Sequence, residues 1–295
     1  MSSLLDPKIM MSIKGLSLSA KTTIEGLMNG INKSQLKGAG MEFAQYRSYQ
    51  PGDDLRMLDW KMFARSDRYY IRESEIETNI NIRLLVDGTA SMNHSDGAFT
   101  KIDYARYLAA SLAYLANLQG DAIALDILQT KEVISLPAKN NYQHLHRLFY
   151  QLEQLQPEGK FMSTGHIKRF YNGAGRRELV ICITDLYEEE GEIFTLLCQL
   201  SSLRHEVIIF HLLSRNELEL DFKGYSSFED LETGAMIDTD TVAIKKAYLS
   251  NINSYLENIK LKAMEVGVFY RQLCTDEPLE QAIRDFLKQR KKLKI

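Results

Sequence analysis

An open α/β sheet, mostly parallel and with helices on both faces, is the fold class that this sequence predicts, on three observations. From Ile80 to the C-terminus, short apolar runs alternate with helical patterns, and that alternation marks a sheet built from crossover units. Two of the runs, Leu179-Val180-Ile181-Cys182-Ile183 and Val207-Ile208-Ile209-Phe210, are apolar throughout. Strands of that kind are covered on both faces, as in a parallel sheet. Two runs also stop at an aspartate, LLVD at Asp87 and LVICITD at Asp185, and open α/β sheets bind their ligands outside such strand ends.

The elements follow in chain order. Residues 1–32 read as one or two amphipathic helices, and Phe43–Tyr49 and Tyr69–Ile71 read as short strands separated by a Gln50-Pro51-Gly52-Asp53 turn. The stretch up to residue 78 is too short and polar for a core of its own. It is expected as a small N-terminal α+β appendage, 1–78, on an α/β domain, 79–295. The first strand of that domain is INIRLLV, followed by the helix IDYARYLAASLAYLANL. In this helix Ile102, Ala105, Ala109, Leu112 and Ala116 recur at three- and four-residue steps, with Leu108 and Leu115 widening the stripe. Thr100 and Asp103 start it as a capping box, and Gly120-Asp121 closes it. Strand AIALDIL, helix YQHLHRLFYQLEQL, strand ELVICIT and helix EIFTLLCQLSSL come next. Strand EVIIFHLL, a long helix ending at Gly267, strand VFYRQLC and helix LEQAIRDFLKQRKK complete the pattern.

Composition narrows the function classes. The 295 residues are 45% hydrophobic and 25% charged, which is globular rather than disordered. With 36 basic and 39 acidic side chains the net charge is −3, so no global charge draws the chain to nucleic acid or to a membrane surface. Three widely spaced cysteines, Cys182, Cys198 and Cys274, fit neither a disulfide framework nor a zinc cage. They read as small hydrophobes in a reducing, cytoplasmic setting. No apolar run approaches the ~20 residues that span a bilayer, and the N-terminus lacks the pattern of a signal peptide. The six histidines are scattered and read as solvent-facing or capping; His144 and His146 are two apart on a helix and share no face for a metal pair. The basic C-terminal tail reads as a solvated helix end.

The chemistry is concentrated at the strand ends. Asp87-Gly88-Thr89-Ala90-Ser91 places three oxygen-bearing side chains at alternate positions, Thr184-Asp185 ends a second strand, and the loop Gly159–His166 carries Ser163 and Thr164. Carboxylate, hydroxyl and water oxygens in an open shell suit a hard cation, Mg²⁺ in particular.

That constellation resembles the metal-ion-dependent adhesion site of von Willebrand factor type A domains, with pattern Asp-x-Ser-x-Ser, then a distant Thr, then a distant Asp. The resemblance assigns Asp87, Thr89, Ser91, Thr164 and Asp185 as metal residues, with Thr89 where the pattern has serine and Ser163 as the alternative to Thr164. It implies a von Willebrand A-like (Rossmann-like) fold and a Mg²⁺ ion with one position left open for a partner's carboxylate. The segment Glu42-Phe43, Arg47, Tyr49-Gln50-Pro51-Gly52-Asp53-Asp54, Arg56, Asp59-Trp60 and Ala64-Arg65 resembles the signature of the bacterial "domain of unknown function 58" family. That family implies a partner among MoxR-type AAA+ ATPases, in a chaperone-like or assembly role. The chain itself has no GxxxxGK[ST] loop, so an energy source would come from the partner. Asp53, Asp54, Arg56, Asp59 and Arg65 read as an ion-pair network tying the appendage to the sheet, with a partner surface as the alternative, and Trp60 reads as structural. The expected function is a non-catalytic, metal-completed protein-binding adaptor. A Mg²⁺-dependent phosphoesterase or nuclease, and a structural protein with a vestigial site, are the alternatives.

Overall fold

The computed structural model describes residues 15–32, 43–50, 58–74, 80–97, 99–129, 134–161, 177–188, 191–222 and 224–293. They form two compact units, one of residues up to 30 together with 80–295, the other of 31–79.

The larger unit is built on a six-stranded sheet of β3 (Asn81–Asp87), β4 (Ala122–Leu128), β5 (Ile134–Lys139), β6 (Glu178–Thr184), β7 (Glu206–Leu213) and β10 (Phe269–Cys274), in the order β10-β7-β6-β3-β4-β5. All pairings are parallel except β4 with β5. From β6 onward β6 and β7 are buried along almost their whole length, as their unbroken apolar runs predict. The antiparallel edge strand β5 has no counterpart in the sequence reading. It alternates half-buried and exposed residues and carries Pro137, a residue that edge strands accommodate because one row of their N–H groups needs no ladder partner.

Helix α3 (Lys101–Leu118) crosses from β3 to β4. Its stripe Ile102, Ala105, Leu108, Ala109, Leu112, Leu115 and Ala116 is buried throughout, and the Thr100–Asp103 capping box is formed in both directions. Helix α3 packs against α4 (Tyr142–Gln154) and α8 (Leu279–Leu293). The buried Tyr104 hydroxyl on α3 donates to the Glu277 carbonyl at 2.9 Å. Helix α5 (Glu192–Ser202) and helix α7 (Thr241–Glu265) contribute Ile193, Leu196, Leu197, Leu200 and Ala263 to a core with Leu85, Val180, Cys182 and Ile209 of the sheet. At the sheet's centre, Arg83 staples three strands: its guanidinium meets Asp126 of β4 at 2.5 Å and Glu178 of β6 at 2.7 Å.

Helix α1 (Leu16–Asn32) buries Leu16, Ser19, Ala20, Thr23, Ile24 and Leu27, and its Leu16 N–H donates to Glu153 of α4 at 3.1 Å. Its residues up to 30 therefore group with the α/β unit rather than with an appendage reaching to residue 78. The smaller unit holds the antiparallel pair β1 (Phe43–Ser48) and β2 (Tyr70–Ser74) and the short helix α2 (Trp60–Ser66). A further hairpin, β8 (Tyr225–Glu229) with β9 (Met236–Asp240), follows the one-turn helix α6 (Arg215–Glu219). The alternation of strand and helix does not announce either element.

Two histidines depart from the expected solvent-facing or capping positions. His144 is 5% exposed and its Nε2–H donates to the Ile123 carbonyl at 2.7 Å. His211 is fully buried, its Nε2–H donating to the Asp185 carbonyl at 2.8 Å while Nδ1 accepts from the Tyr270 hydroxyl at 2.7 Å. A main-chain acceptor within reach of each ring removes the penalty that would keep a histidine at the surface.

Candidate functional site

Strand order places the site. The chain leaves β3 toward β4 on one side, while β6, on the other side of β3, leads toward β7. Connections that diverge from neighbouring strands open a crevice at their carboxyl ends. Asp87 is the last residue of β3 and Asp185 follows the last residue of β6.

The turn after β3 is held from outside. Gly88 N–H donates to the Leu128 carbonyl, the Gly88 carbonyl accepts from Glu158 N–H, and Ala90 N–H donates to the Gly159 carbonyl, each at 2.9 Å. A Cβ on Gly88 would stand 2.7 Å from Gln129 Cγ, so only glycine lets the neighbouring side chain pack this closely. Thr89 is extended, and the single 3₁₀ turn Ala90–Asn93 then swings Ser91 back beside it. Asp87 Oδ1 accepts from Thr89 N–H at 3.0 Å and from the Thr89 hydroxyl at 2.8 Å, and Oδ2 accepts from the Thr184 hydroxyl at 2.6 Å. Asp185 Oδ1 accepts from the Ser91 hydroxyl at 3.1 Å and from Tyr187 N–H at 3.2 Å. Asp87, Thr89, Ser91, Thr184 and Asp185 are all at most 5% exposed.

Asp87, Thr89, Ser91 and Asp185 thus come together as expected. Thr164, with its alternative Ser163, lies outside the described residues, and so do Glu42, Asp53, Asp54 and Arg56. Arg47 falls in β1. Asp59 caps α2, its Oδ1 accepting from Lys61 N–H at 2.9 Å and Met62 N–H at 3.1 Å. Trp60 is 62% exposed and edge-on to Phe63, and Arg65 stands exposed in the last turn of α2.

A lysine completes the cluster. Lys101 is 2% exposed, and its Nζ donates to Asp185 Oδ2 at 2.9 Å and to Glu217 Oε1 at 2.6 Å. Glu217 Oε2 in turn accepts from Ser214 N–H at 2.7 Å and the Ser214 hydroxyl at 2.6 Å. The sequence carried one signal for this residue: Lys101 opens helix α3 directly after its cap, where a cation opposes the helix dipole.

The electrostatics of the two aspartates diverge for that reason. Burial, reinforced by the charge of Asp185, pushes the Asp87 carboxyl up to about 6, against the pull of its hydrogen bonds. Burial acts on Asp185 too, but there the Lys101 ammonium outweighs it and holds the carboxyl below its ordinary range. Burial also pushes His211 down to about 4, which keeps the ring neutral. A cavity of about 510 Å³ opens beside Asp185, walled by Tyr187, Tyr248 and Tyr255 and by Lys160, Glu188 and Glu232. Burial lifts the Glu188 carboxyl to about 8, and burial with the charges of Asp185 and Asp87 lifts Glu232 to about 7.

The donor set fits a hard cation. Thr89 Oγ and Ser91 Oγ are 3.0 Å apart while each also contacts an aspartate. A hydroxyl has one proton, so three oxygen contacts share two protons and one contact is left without a donor. A cation among these oxygens would satisfy them. Among the described residues no group of three or more His, Cys, Asp or Glu is placed to hold a metal ion. Carboxylate and hydroxyl oxygens are the donor type that Mg²⁺ takes, with waters filling the rest of its shell.

The six-stranded order, the switch point between β3 and β6 and the helices on both faces make this a von Willebrand A-like open α/β sheet. The sequence matches, over residues 45–255, the family described as "Protein of unknown function DUF58", and the chain belongs to that family. The uncharacterized protein Rv1480 of Mycobacterium tuberculosis is 26% identical over 235 residues, 78% of this chain and 73% of its own length. Among solved structures, the conserved hypothetical protein BatB from Bacteroides thetaiotaomicron matches 72% of this chain and 100% of its own, at 15% identity and TM-score 0.47. The SpRpn10 VWA domain matches 70% of this chain and 95% of its own, at 10% identity and TM-score 0.42. No helix among the described residues is long and apolar enough to cross a membrane.

Proposed function

We propose that the protein is a non-catalytic binding adaptor that captures an acidic side chain of a protein partner at the strand-end site, the partner being a MoxR-type AAA+ ATPase. The observation that carries this reading is the buried cluster of two aspartates and two hydroxyls, with fewer protons than oxygen contacts. Asp87, Thr89 and Ser91 would hold Mg²⁺, with Thr164 or Ser163 as the further hydroxyl that the resemblance assigns. Asp185 would act behind them, orienting Ser91 through its hydroxyl proton. When bound, the ion would supply a Lewis-acid position open to a carboxylate from outside. Lys160 and the tyrosines of the adjoining cavity offer the partner's flanking residues a charge and flat apolar surfaces.

A purified MoxR-type AAA+ ATPase, mixed with tagged wild-type protein in MgCl₂ and pulled down with it, tests the reading. Capture that is lost in EDTA and lost in a folded Asp87→Ala variant supports it. Capture indifferent to both removes the metal from the mechanism. Metal-dependent turnover of a phosphodiester by the purified chain would replace the adaptor with an enzyme.

A further inference from the structure

We propose that Lys101 is a tethered cation that opposes divalent-ion binding at the strand-end site and links the site's occupancy to Glu217 on α6. The inference rests on the reading of the site as a Mg²⁺ site. An ammonium at 2% exposure in the first turn of a helix is unfavourable on two counts, desolvation and the helix dipole. It is held there by two carboxylates, Asp185 at 2.9 Å and Glu217 at 2.6 Å.

Charge shows what it does. Asp185 and Glu217 hold the one ammonium and Asp87 adds a third carboxylate to the cluster, leaving two negative charges among these four groups, the charge of one divalent ion. Asp185 is committed: Oδ2 takes the lysine, and Oδ1 takes Ser91 and Tyr187. Among the described residues Asp87 receives only neutral donors, Thr89 and Thr184. An ion drawn to Asp87 and the hydroxyls therefore meets the ammonium on the far side of Asp185 and is repelled by it. The relief available to Lys101 is toward Glu217, whose main-chain carbonyl accepts from the Tyr248 hydroxyl of α7 at 2.7 Å, on the wall of the cavity. Lys101 is thus a positioning residue between the ion site and the surface where a partner would sit.

Calorimetric titration of the full chain with MgCl₂, for wild type, Lys101→Met, Glu217→Gln and Asp87→Ala, tests this, with thermal unfolding in EDTA and in MgCl₂ recorded beside it. Removing the ammonium should tighten Mg²⁺ binding at least tenfold, and removing the Glu217 charge should weaken it severalfold. Lys101→Met should also melt lower in EDTA and recover more than wild type on adding Mg²⁺. A lysine that merely shapes the site would move both variants the same way, toward weaker binding, and that result overturns the proposal while leaving the metal site intact. If Lys101→Met does not fold in EDTA, Glu217→Gln still decides, since unchanged or tighter binding by that variant overturns the proposal. Absence of binding by folded wild type and by both charge variants overturns the proposal and the metal reading together. Loss in Asp87→Ala alone keeps the metal reading.

Discussion

Replacing Asp87 by asparagine is expected to stabilise the metal-free protein, although it removes a residue at the centre of the site. Burial holds the Asp87 carboxyl at about 6 instead of 3.8, and a difference of that size amounts to about 3 kcal/mol against the folded state once the group is ionised. The sign follows from proton binding. Between 3.8 and about 6 the folded chain keeps a proton that the unfolded chain has released. Stability from this group therefore falls as pH rises through that window, and the penalty is complete above it. Asparagine carries no charge to desolvate. Its carbonyl can still accept from the Thr89 N–H and hydroxyl, while the Thr184 hydroxyl must turn from donor to acceptor. Allowing about 1 kcal/mol for that rearrangement leaves a net gain of about 2 kcal/mol. For a domain of this size the gain raises Tm by about 4–8 °C. The assay is thermal unfolding in EDTA, wild type beside Asp87→Asn, near neutral pH and again near pH 4, where the difference should shrink as wild-type Asp87 gains its proton. An asparagine variant that melts below wild type in EDTA at neutral pH would refute the reasoning, because it would mean that the charge on Asp87 is compensated within the fold.

Asp185→Asn should act in the opposite direction. It takes the anion away from a fully buried ammonium 2.9 Å distant, so a loss of about 3–5 kcal/mol is expected in urea unfolding near neutral pH. Arg83→Met leaves the Asp126 and Glu178 carboxylates without their shared cation at the middle of the sheet. The expected loss is again about 3–5 kcal/mol, and the double replacement with Asp126→Leu should recover part of it. Gly88→Ala sets a methyl 2.7 Å from Gln129 Cγ and 3.0 Å from Ile127 Cγ2. It should cost about 1–3 kcal/mol by chemical denaturation and weaken Mg²⁺ binding, since the same turn aims Thr89 and Ser91.

Much of the fold was legible in the residues. Alternation of apolar runs with three- and four-residue stripes placed β3, β4, β6, β7 and β10 and the helices between them, because crossover strands covered on both faces leave unbroken apolar runs. The edge strand β5 escaped because it alternates half-buried and exposed residues around Pro137 and so forms no unbroken apolar run. The β8–β9 hairpin escaped because its strands are short and mostly exposed. In the smaller unit, the Asp59 carboxylate caps α2. That local role is indistinguishable by composition from a charge partner's.

The site divides in the same way. The sequence by itself determined that Asp87, Thr89, Ser91 and Asp185 would stand at strand ends, since hydroxyls and carboxylates at fixed steps after an apolar strand can face only the crevice beyond it. Only the tertiary structure brought Lys101 and Glu217 to that crevice, from residues 116 positions apart in the chain. The physical reason is that periodicity records which face of an element is apolar, whereas a buried ion pair exists only once separate elements have excluded water from between two charges.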